Sequence, residues 1–559
     1  MNRRDFMIQS LLAASATSVA SHAAANSNTK SAAKGSLSGK NIIFISADQL
    51  AAGFLNCYGS GVNSTPTLDQ LAQKGTMFER CYATCPICAP DRATWLTGRS
   101  PVVHGIIANN YALATDTPTY AHVLRRSGYR TGAFGKIHQT PMHLPVPSDL
   151  HFLGFDESVV TEDPKWGPWI DWIEKEHPDQ YENALALCWG HSLRKNRAAQ
   201  ALLAHKARQK ILQPLLKQSG WKTMYSSPLP AELHDTTFIT NCSLDFMTRH
   251  LKDHPGRPFL CHVSYVDPHD PYNPPKPYDT MFNPSDMKDP FPAEWEGQDY
   301  RALLSNQNSY LGFNEIKDKP ELVRKMRALF HGSVKFIDDQ IARIVSFVKD
   351  NNLWENTVIM FTTDHGEMMG DHGLIAKGTP HYDAGIRLPL IAAGAGITPH
   401  KTARLTCTLD YFPTFCDWAQ VPSENLPPLE GKSFASVCSG SKEKQSWSEI
   451  AVSVSTIDTV ITDDYWRLTR FSGEDKGQMF NLKKDPSEQN NLYYDPAFTD
   501  KKTELLERLV KITNRPGTIP NYRNLPLYQG HKQFIGGVGG GLFRPGPTPY
   551  NSPPNPYLE

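Results

Sequence analysis

A cysteine, a proline and an arginine at alternate positions form the segment of this 559-residue chain that is richest in potential chemistry: Cys88, Pro90 and Arg92, in the run C-A-P-D-R. Cys85 lies three residues earlier, so the segment also contains a C-x-x-C pair. Such a pair alone is compatible with a redox disulfide or with half of a metal site. The ten cysteines are few for a disulfide scaffold and contain no four-cysteine zinc pattern. The residues after Cys88 favour a third interpretation, the precursor of a nucleophile.

Three apolar runs of strand length, 41–46, 259–265 and 357–362, each lead into an aspartate. Continuous apolar runs are typical of strands that are buried on both faces of a parallel sheet. Residues 67–74 have helical spacing, with a proline at the start and a glycine after the end. The sequence therefore predicts an α/β fold with a large, doubly wound, mixed or parallel sheet sandwiched by helices. Ligands bind at the carboxyl ends of such strands, where these aspartates lie.

The cysteine run continues as A-T-W-L-T-G, and the whole stretch resembles the signature of the type I, formylglycine-dependent sulfatases of the alkaline-phosphatase-like superfamily. In that family C-x-P-x-R begins a helix that ends in L-T-G. The cysteine is oxidised to formylglycine (3-oxoalanine), whose hydrate supplies the attacking oxygen. The resemblance implies this change at Cys88, made by a formylglycine-generating maturation enzyme. A helix N-terminus stabilises an oxyanion, and Arg92, one turn along, can point back at it. Asp91 departs from the small residue that is common there.

The pairs Asp-Gln and Asp-His at the predicted strand ends resemble the metal ligands of the same family. The resemblance implies that Asp48, Gln49, Asp364 and His365, with the modified Cys88, bind one divalent cation. Carboxylate and amide oxygens favour Ca²⁺ first, or Mg²⁺. Gln49 replaces a commoner second aspartate and His365 offers a nitrogen, so Mn²⁺ is a further alternative. The cation would acidify the aldehyde hydrate and neutralise the sulfate oxygens.

Four basic residues follow in the order expected for the family. Lys136 and His138 lie in G-K-I-H, which resembles G-K-W-H, His269 lies in a Pro-His segment, and Lys377 resembles the downstream lysine. The resemblance implies that Lys136, Lys377 and His269 hold the sulfate oxygens. It also implies that His269 or Lys377 protonates the leaving alcohol and that His138 accepts the proton when the aldehyde is regenerated. A positioned acid or base typically contributes ~10²–10⁴-fold to a rate.

The predicted activity is hydrolysis of a sulfate ester to an alcohol and sulfate. Phosphonate monoester and phosphodiester hydrolases share the fold and the formylglycine, and their tetrahedral anions are nearly isosteric with sulfate. They remain an alternative that the motifs do not separate. A second alternative, an inactive exported carbohydrate-binding protein, is disfavoured by the intact set of cysteine, arginine, lysines and histidines.

The N-terminus resembles an export signal of the twin-arginine class. Arg3 and Arg4 precede an apolar stretch over 8–20 and then small residues over 21–25. The stretch is shorter than the ~20 residues of a membrane-spanning helix, and no later segment is long and apolar enough. We therefore expect export by the twin-arginine machinery, cleavage after residues 1–25, and a periplasmic or secreted protein; an uncleaved anchor is the alternative.

A catalytic domain over 40–440, preceded by a linker over 26–39, is predicted to contain an insertion at about 155–235. The insertion combines tryptophans with a basic helical stretch. One interpretation is a rim that recognises an extended anionic or sugar substrate, and the other is an amphipathic helix packed on the core. Export and the aromatic residues favour a sulfated poly- or oligosaccharide, and thus polysaccharide degradation. The tryptophans are Trp166, Trp169, Trp172 and Trp189.

Residues 441–530 have a different pattern, with short strands, polar turns and a helix. They predict a smaller α+β subdomain with an antiparallel sheet, followed by a Gly- and Pro-rich tail over 531–559. Lys plus Arg and Asp plus Glu each total 57, so no nucleic acid or anionic membrane is expected as a partner. The predicted strands lie within 450–460 and 465–471, and the predicted helix within 501–513.

Overall fold

The computed structural model describes residues 39–513, apart from 143–148, 190–196, 222, 294–315, 379–380, 442–446, 455–456 and 472–475. The predicted export signal, most of the predicted linker and the predicted Gly- and Pro-rich tail lie outside the described residues.

The apolar run predicted over 41–46 forms the strand Asn41–Ala47, in which every residue is buried. Its side chains alternate, so that Ile42 and Phe44 pack into one core and Ile43 and Ile45 into another. A strand that is covered on both faces needs apolar residues at successive positions, which explains the continuous run.

This strand belongs to a nine-stranded sheet within the described residues. Its strands are β1 (Asn41–Ala47), β2 (Thr76–Tyr82), β3 (Arg130–Gly135), β4 (Glu157–Val160), β5 (Phe259–Ser264), β6 (Thr357–Thr363), β7 (Arg387–Gly394), β8 (His400–Thr402) and β9 (Thr406–Cys407). Their order is β4-β3-β5-β1-β6-β7-β2-β8, and β9 also pairs with β2. β7 runs antiparallel to both of its neighbours, whereas the other pairings are parallel. The predicted mixed sheet is confirmed.

Helices cover both faces of the sheet. The α-helices are α1 (Pro66–Lys74), α2 (Cys88–Thr97), α3 (Pro101–His104), α4 (Tyr120–Arg126), α5 (Pro168–Glu176), α6 (Tyr181–Leu187), α7 (Arg197–Ala207), α8 (Gln213–Ser219), α9 (Asp235–Asp253), α10 (Pro320–Asp350), α11 (Asp383–Ile386), α12 (Tyr411–Trp418), α13 (Ala435–Cys438) and α14 (Thr499–Thr513). One core contains residues of α2, α4 and α12, and the other contains residues of α1, α9 and α10. The predicted sandwich of helices around the sheet is confirmed.

The insertion has a hydrophobic core of its own, and most of its tryptophans contribute to it. Trp169 is fully buried and donates a hydrogen bond to the carbonyl of Leu233 (2.9 Å), and Trp166 donates to the carbonyl of Trp189 (2.9 Å). Trp172 packs partly buried against the same core. The prediction of an aromatic rim is therefore wrong for Trp166 and Trp169, while Trp189 is 38% exposed.

A second, four-stranded antiparallel sheet follows, as predicted for this part of the chain. Its strands, in spatial order, are β10 (Glu449–Val454), β11 (Ile457–Thr462), β12 (Trp466–Phe471) and β13 (Lys476–Asn481). Leu505 and Leu509 of α14 pack on one face of this sheet. On the other face, residues of β10 and β11 pack against β2 and β9 of the large sheet. Among the described residues, we find no helix with the length and apolar character needed to cross a membrane.

Candidate active site

The predicted site residues meet at one edge of the large sheet. Lys136 follows β3, Asp48 follows β1 and Asp364 follows β6, and these strands run in the same direction. His269 lies in the loop after β5, which separates β3 from β1 in the sheet. The topology thus brings together side chains that are far apart in the sequence, as expected for the carboxyl edge of a doubly wound sheet.

Cys88 is the first residue of α2 and is completely buried. Its Sγ lies 3.1 Å from Nε2 of His365 and 3.9 Å from Oδ1 of Asp48. The preceding residue, Ile87, is extended and offers no side chain to cap the helix. The positive end of the helix dipole therefore acts at the position of Sγ, which is where the oxygen of a formylglycine would lie.

The end of the same helix explains the glycine of the L-T-G segment. Gly98 adopts a left-handed conformation (φ 62°), and its N–H donates to the carbonyl of Thr94 (2.8 Å). A Cβ at this position would lie 2.9 Å from a methyl carbon of Leu429. The left-handed backbone favours glycine at this position, and the close approach of Leu429 adds to the preference.

Arg92 links the two buried aspartates of the site. Its Nη2 donates to Asp48 (2.9 Å) and its Nε to Asp364 (2.8 Å). Its Nη1 donates to the carbonyl of Lys136 (2.7 Å) and to the hydroxyl of Ser264 (2.9 Å). A planar guanidinium with several donors can fix both carboxylates at once, which a lysine cannot do.

Four of the predicted metal ligands form one compact group. One donor atom from each of Asp48, Cys88, Asp364 and His365 lies within 4.8 Å of all the others, and all four residues are buried. Nδ1 of His365 donates to the carbonyl of Gly366 (3.1 Å), which leaves the lone pair of Nε2 directed at the group. Such a bond commonly fixes the tautomer of a metal-bound histidine. The donors fit a divalent cation.

Gln49, the fifth predicted ligand, lies beside this group and connects it to Lys377. The backbone N–H of Gln49 donates to Asp364 (3.2 Å), and its side-chain oxygen accepts from Nζ of Lys377 (2.5 Å). Its amide nitrogen donates to the buried carboxylate of Glu367. In this arrangement the side-chain oxygen of Gln49 contacts the lysine. Gln49 also has a left-handed backbone (φ 61°), a strained conformation that is frequent at functional sites.

Lys136 is held between two carboxylates. Its Nζ lies 2.6 Å from Oδ2 of Asp48 and 2.5 Å from Oδ1 of Asp163. Burial alone would lower the pKa of Lys136, but Asp163 and Asp48 reverse the effect and raise this pKa above its ordinary value. The ammonium group is therefore a permanent positive charge at the site.

His138 offers an unengaged imidazole. The backbone of His138 is left-handed (φ 54°), and the backbone N–H of this residue donates to Oε1 of Glu162 (2.8 Å). Neither ring nitrogen has a hydrogen-bond partner among the described residues, although the ring is fully buried. Burial and the neighbouring Lys136 hold the pKa of His138 well below its usual range, so the ring is neutral.

His269 and Lys377 form a direct contact on the other side of the site. Nδ1 of His269 donates to the carbonyl of Asp270 (2.7 Å), and Nε2 lies 2.5 Å from Nζ of Lys377. Burial and Lys377 lower the pKa of His269, but Asp270, Asp163 and Asp48 outweigh them and raise this pKa to about 9. Both residues lie at the site as the sequence predicts.

Two features near Cys88 concern its motif. Asp91 is buried, and its Oδ1 accepts from the N–H of Thr84 (3.0 Å) and the hydroxyl of Thr408 (2.8 Å). Burial raises the pKa of Asp91 to about 8.

All ten cysteines lie in the described part of the chain and are free thiols, so Cys85 forms no disulfide with Cys88. The interpretation of C-x-x-C as a disulfide is therefore excluded in this structure.

Sequence reasoning missed Asp163, Asn109 and Glu367. Asp163 follows β4 and reaches Lys136, and Asn109 accepts from the N–H of Ala89 in the first turn of α2 (3.1 Å). Glu367 accepts from Gln49 and from two backbone N–H groups of its own loop. These are isolated polar residues without a motif. The acidic pair Glu162-Asp163, shortly after the two valines at 159 and 160, was the one available signal.

Comparison with known proteins identifies the family of this chain. The family model described as sulfatase matches residues 40–421, and the model described as the N-sulphoglucosamine sulphohydrolase C-terminal region matches 370–515. The chain belongs to the sulfatase family of the alkaline-phosphatase-like superfamily, and it is a sulfuric ester hydrolase by class.

Individual relatives are distant but cover most of the chain. An arylsulfatase of Clostridium perfringens is 26% identical over 497 residues, which are 84% of this chain and 94% of that protein. An N-acetylglucosamine-6-O-sulfatase of Bacteroides thetaiotaomicron is 24% identical and covers 89% of this chain and 90% of its own length. The solved phosphonate monoester hydrolase of Agrobacterium radiobacter has the same fold, with a TM-score of 0.67 and 23% identity over 85% of this chain and 95% of its own.

Proposed function

We propose that this protein hydrolyses sulfate esters with a formylglycine made from Cys88 and with one bound divalent cation, Ca²⁺ in the first place. The observation that supports this most directly is the position of Cys88. It lies at a helix N-terminus, within 3.1 Å of His365, and in one group with Asp48 and Asp364. The net reaction converts R–O–SO₃⁻ and water into an alcohol, sulfate and a proton.

The protein's own residues would have separate tasks. A cation bound by Asp48, Gln49, Asp364, His365 and residue 88 would acidify the attacking hydroxyl and neutralise charge on the sulfate. Arg92 would keep the two carboxylates in place through its hydrogen bonds to Asp48 and Asp364. Lys136 and Lys377 would hold the sulfate oxygens, which gain negative charge in the transition state.

Proton transfer would use the two histidines. The contact between His269 and Lys377 (2.5 Å) provides a donor for the leaving oxygen of the alcohol. His138 is neutral and buried, and neither of its ring nitrogens has a hydrogen-bond partner among the described residues, so it would accept the proton whose loss regenerates the aldehyde.

For the substrate we propose a sulfated poly- or oligosaccharide, hydrolysed in the periplasm or outside the cell after twin-arginine export. The sugar sulfatase relative and the predicted export signal support this, whereas Trp166 and Trp169 no longer do. Activity on small aryl sulfates without activity on any member of a panel of sulfated glycans would contradict the proposed substrate.

The proposed nucleophile is tested by the mass of the peptide that contains Cys88. Conversion to formylglycine should lower this mass by ~18 Da, because sulfur is replaced by oxygen and two hydrogens are lost. Cys88→Ala should lose essentially all sulfate ester hydrolysis, while Cys85→Ala serves as the matched control in the same segment. An unmodified Cys88 in fully active protein, or normal turnover by Cys88→Ala, would contradict the proposed nucleophile.

A phosphonate monoester hydrolase remains the second candidate. The similarity in fold to a solved enzyme of that class, together with Gln49 and His365 in the ligand set, favours keeping it. The two candidates are separated by kcat/KM values for an aryl sulfate and an aryl phosphonate with the same leaving group. A higher value for the phosphonate would overturn the assignment to sulfate.

A further inference from the structure

A carboxylate lies among the cationic groups that would receive the substrate anion. Asp163 is 7% exposed, and its Oδ1 is 2.5 Å from Nζ of Lys136. Burial disfavours its ionised form, but Lys136, and after it His269, holds the pKa of Asp163 below its ordinary value. A full negative charge is therefore present beside a lysine that would bind an anion.

The fold fixes this carboxylate in place. β4 is the parallel neighbour of β3, and the pairing continues beyond the strands through a hydrogen bond from the N–H of Thr161 to the carbonyl of Gly135 (3.1 Å). Residues that follow β4 therefore lie beside residues that follow β3, and Asp163 meets Lys136. At the other end of this segment, Nζ of Lys165 is 2.6 Å from Asp235 on α9.

Asp48 alone would already pair with Lys136, at 2.6 Å. A second carboxylate on the same ammonium group is not needed to keep it charged, and it reduces the positive potential that an incoming anion meets. The effect depends on the charge of that anion. A sulfate monoester and a phosphonate monoester each have one negative charge, whereas a phosphate monoester has close to two above neutral pH.

We propose that Asp163 is a specificity-determining residue that selects singly charged esters, sulfate above all, against doubly charged phosphate monoesters. The inference rests on the proposed function, because it assigns Lys136 to the substrate anion. The carboxylate of Asp163 disfavours binding of the second negative charge of a phosphate monoester, whereas the remaining positive charge at the site still accommodates an anion with a single negative charge. At an effective dielectric constant of about 20, one unit of charge at such a site changes the rate of phosphate monoester hydrolysis relative to sulfate ester hydrolysis by roughly ten- to hundredfold.

The experiment compares kcat/KM at pH 8 for 4-nitrophenyl sulfate, 4-nitrophenyl phosphate and a 4-nitrophenyl phosphonate in the full-length protein. Asp163→Asn should raise the ratio of phosphate to sulfate activity by about tenfold or more, whereas the ratio of phosphonate to sulfate should stay within about threefold. Asp163→Glu keeps the charge and should keep the wild-type ratios. Asp179→Asn makes the same change in net charge at an exposed position of the insertion and should also keep them.

The possible outcomes distinguish a failure of the proposed function from a failure of the role of Asp163. If the wild type hydrolyses no sulfate ester, the proposed function fails. If it hydrolyses sulfate but Asp163→Asn leaves the phosphate ratio unchanged, or raises phosphate and phosphonate equally, the role of Asp163 fails alone. Should Asp163→Asn lack measurable turnover, the same ratio is obtained from calorimetric Kd values of phenyl phosphate and phenyl sulfate in the Cys88→Ala background. An unchanged Kd ratio there also overturns the inference.

Discussion

Asp91 shows at the residue scale how burial can keep a carboxyl group neutral. Besides Thr84 and Thr408, the N–H of Cys85 also points at its Oδ1, and the side chain is inaccessible to solvent. Burial raises the pKa of Asp91 to about 8. The hydrogen bond from the Thr408 hydroxyl lowers this pKa, whereas the negative charge of Asp364 raises it further. The group thus keeps its proton in the folded protein over a pH range in which the unfolded chain, with a pKa of about 3.9, has lost it.

This difference predicts a pH-dependent stability. Between about pH 4 and pH 8 the folded state binds one more proton at Asp91, so its contribution to the free energy of unfolding falls as pH rises, by roughly 1.4 kcal/mol per unit. The side chain of Asp91→Asn is neutral at every pH. The free energy of unfolding of this variant, relative to that of the wild type, should therefore increase by roughly 1.4 kcal/mol per pH unit over this range. Urea unfolding at pH 5, 6, 7 and 8 measures it. Asp417→Asn, at an exposed position, is the matched control, and parallel pH curves for Asp91→Asn and the wild type would refute the prediction.

Single residues were predictable from the sequence where a motif defined them. Asp48, Arg92 and Asp364 lie together as expected, because strand ends and a helix start are recognisable as local patterns. Asp163 was not predictable, since its contact with Lys136 depends on β4 lying next to β3 in the sheet. The contact between Gln49 and Lys377 depends likewise on how two loops meet in space, and nothing local encodes it.

At the scale of elements, continuous apolar runs identified β1, β5 and β6, which form the centre of the sheet. β3 contains two glycines and β8 is the polar tripeptide H-K-T, so neither has a strand pattern of its own. Their pairing partners determine their structure, a long-range effect that is absent from local sequence. Of residues 450–460, expected to contain short strands, 450–454 lie in β10 and 457–460 lie in β11.

Helix α14 gives a prediction for one element. Leu505 is fully buried between this helix and the small sheet, in contact with a cluster that includes Val460 and Leu468. Leu505→Ala should lower the free energy of unfolding by about 2–5 kcal/mol, because it removes buried apolar surface and leaves a cavity. Val510→Ala on the same helix, where the side chain is 42% exposed, should change it by no more than ~0.5 kcal/mol. Equal losses in the two variants, measured by urea unfolding, would show that the helix is not anchored through Leu505.

At the scale of the whole molecule, the small sheet supports the segment that follows Lys377. Arg467 on β12 donates to the carbonyl of His381, and its Nε is paired with Glu488 at 2.6 Å with both side chains buried. Trp447 donates to the buried Asp410 (3.1 Å). The C-terminal region therefore makes both hydrophobic and polar contacts with the part of the chain that contains the large sheet.

This leads to a prediction about a truncated chain. A fragment of residues 39–440 would expose the faces of β2 and β9 that Trp447, Ile450 and Val452 cover, and would lose the partner of the His381 carbonyl. We expect it to aggregate or to lack cooperative unfolding, as judged by size-exclusion chromatography and thermal denaturation, and to have no sulfate ester activity. A monodisperse fragment with the kcat/KM of the full chain would disprove this dependence.

The complete burial of Cys88 limits the time during which an enzyme could oxidise it. The thiol is covered by His365, which follows it by 277 residues, and an enzyme of protein size has no access to it in the folded chain. At a synthesis rate of about 5–20 residues per second, the cysteine emerges roughly 15–55 s before its cover is made. Oxidation of Cys88 would have to occur in that interval, or in a chain that has not yet folded. The order of events during synthesis, as much as the geometry of the finished site, would then decide what fraction of the molecules is active.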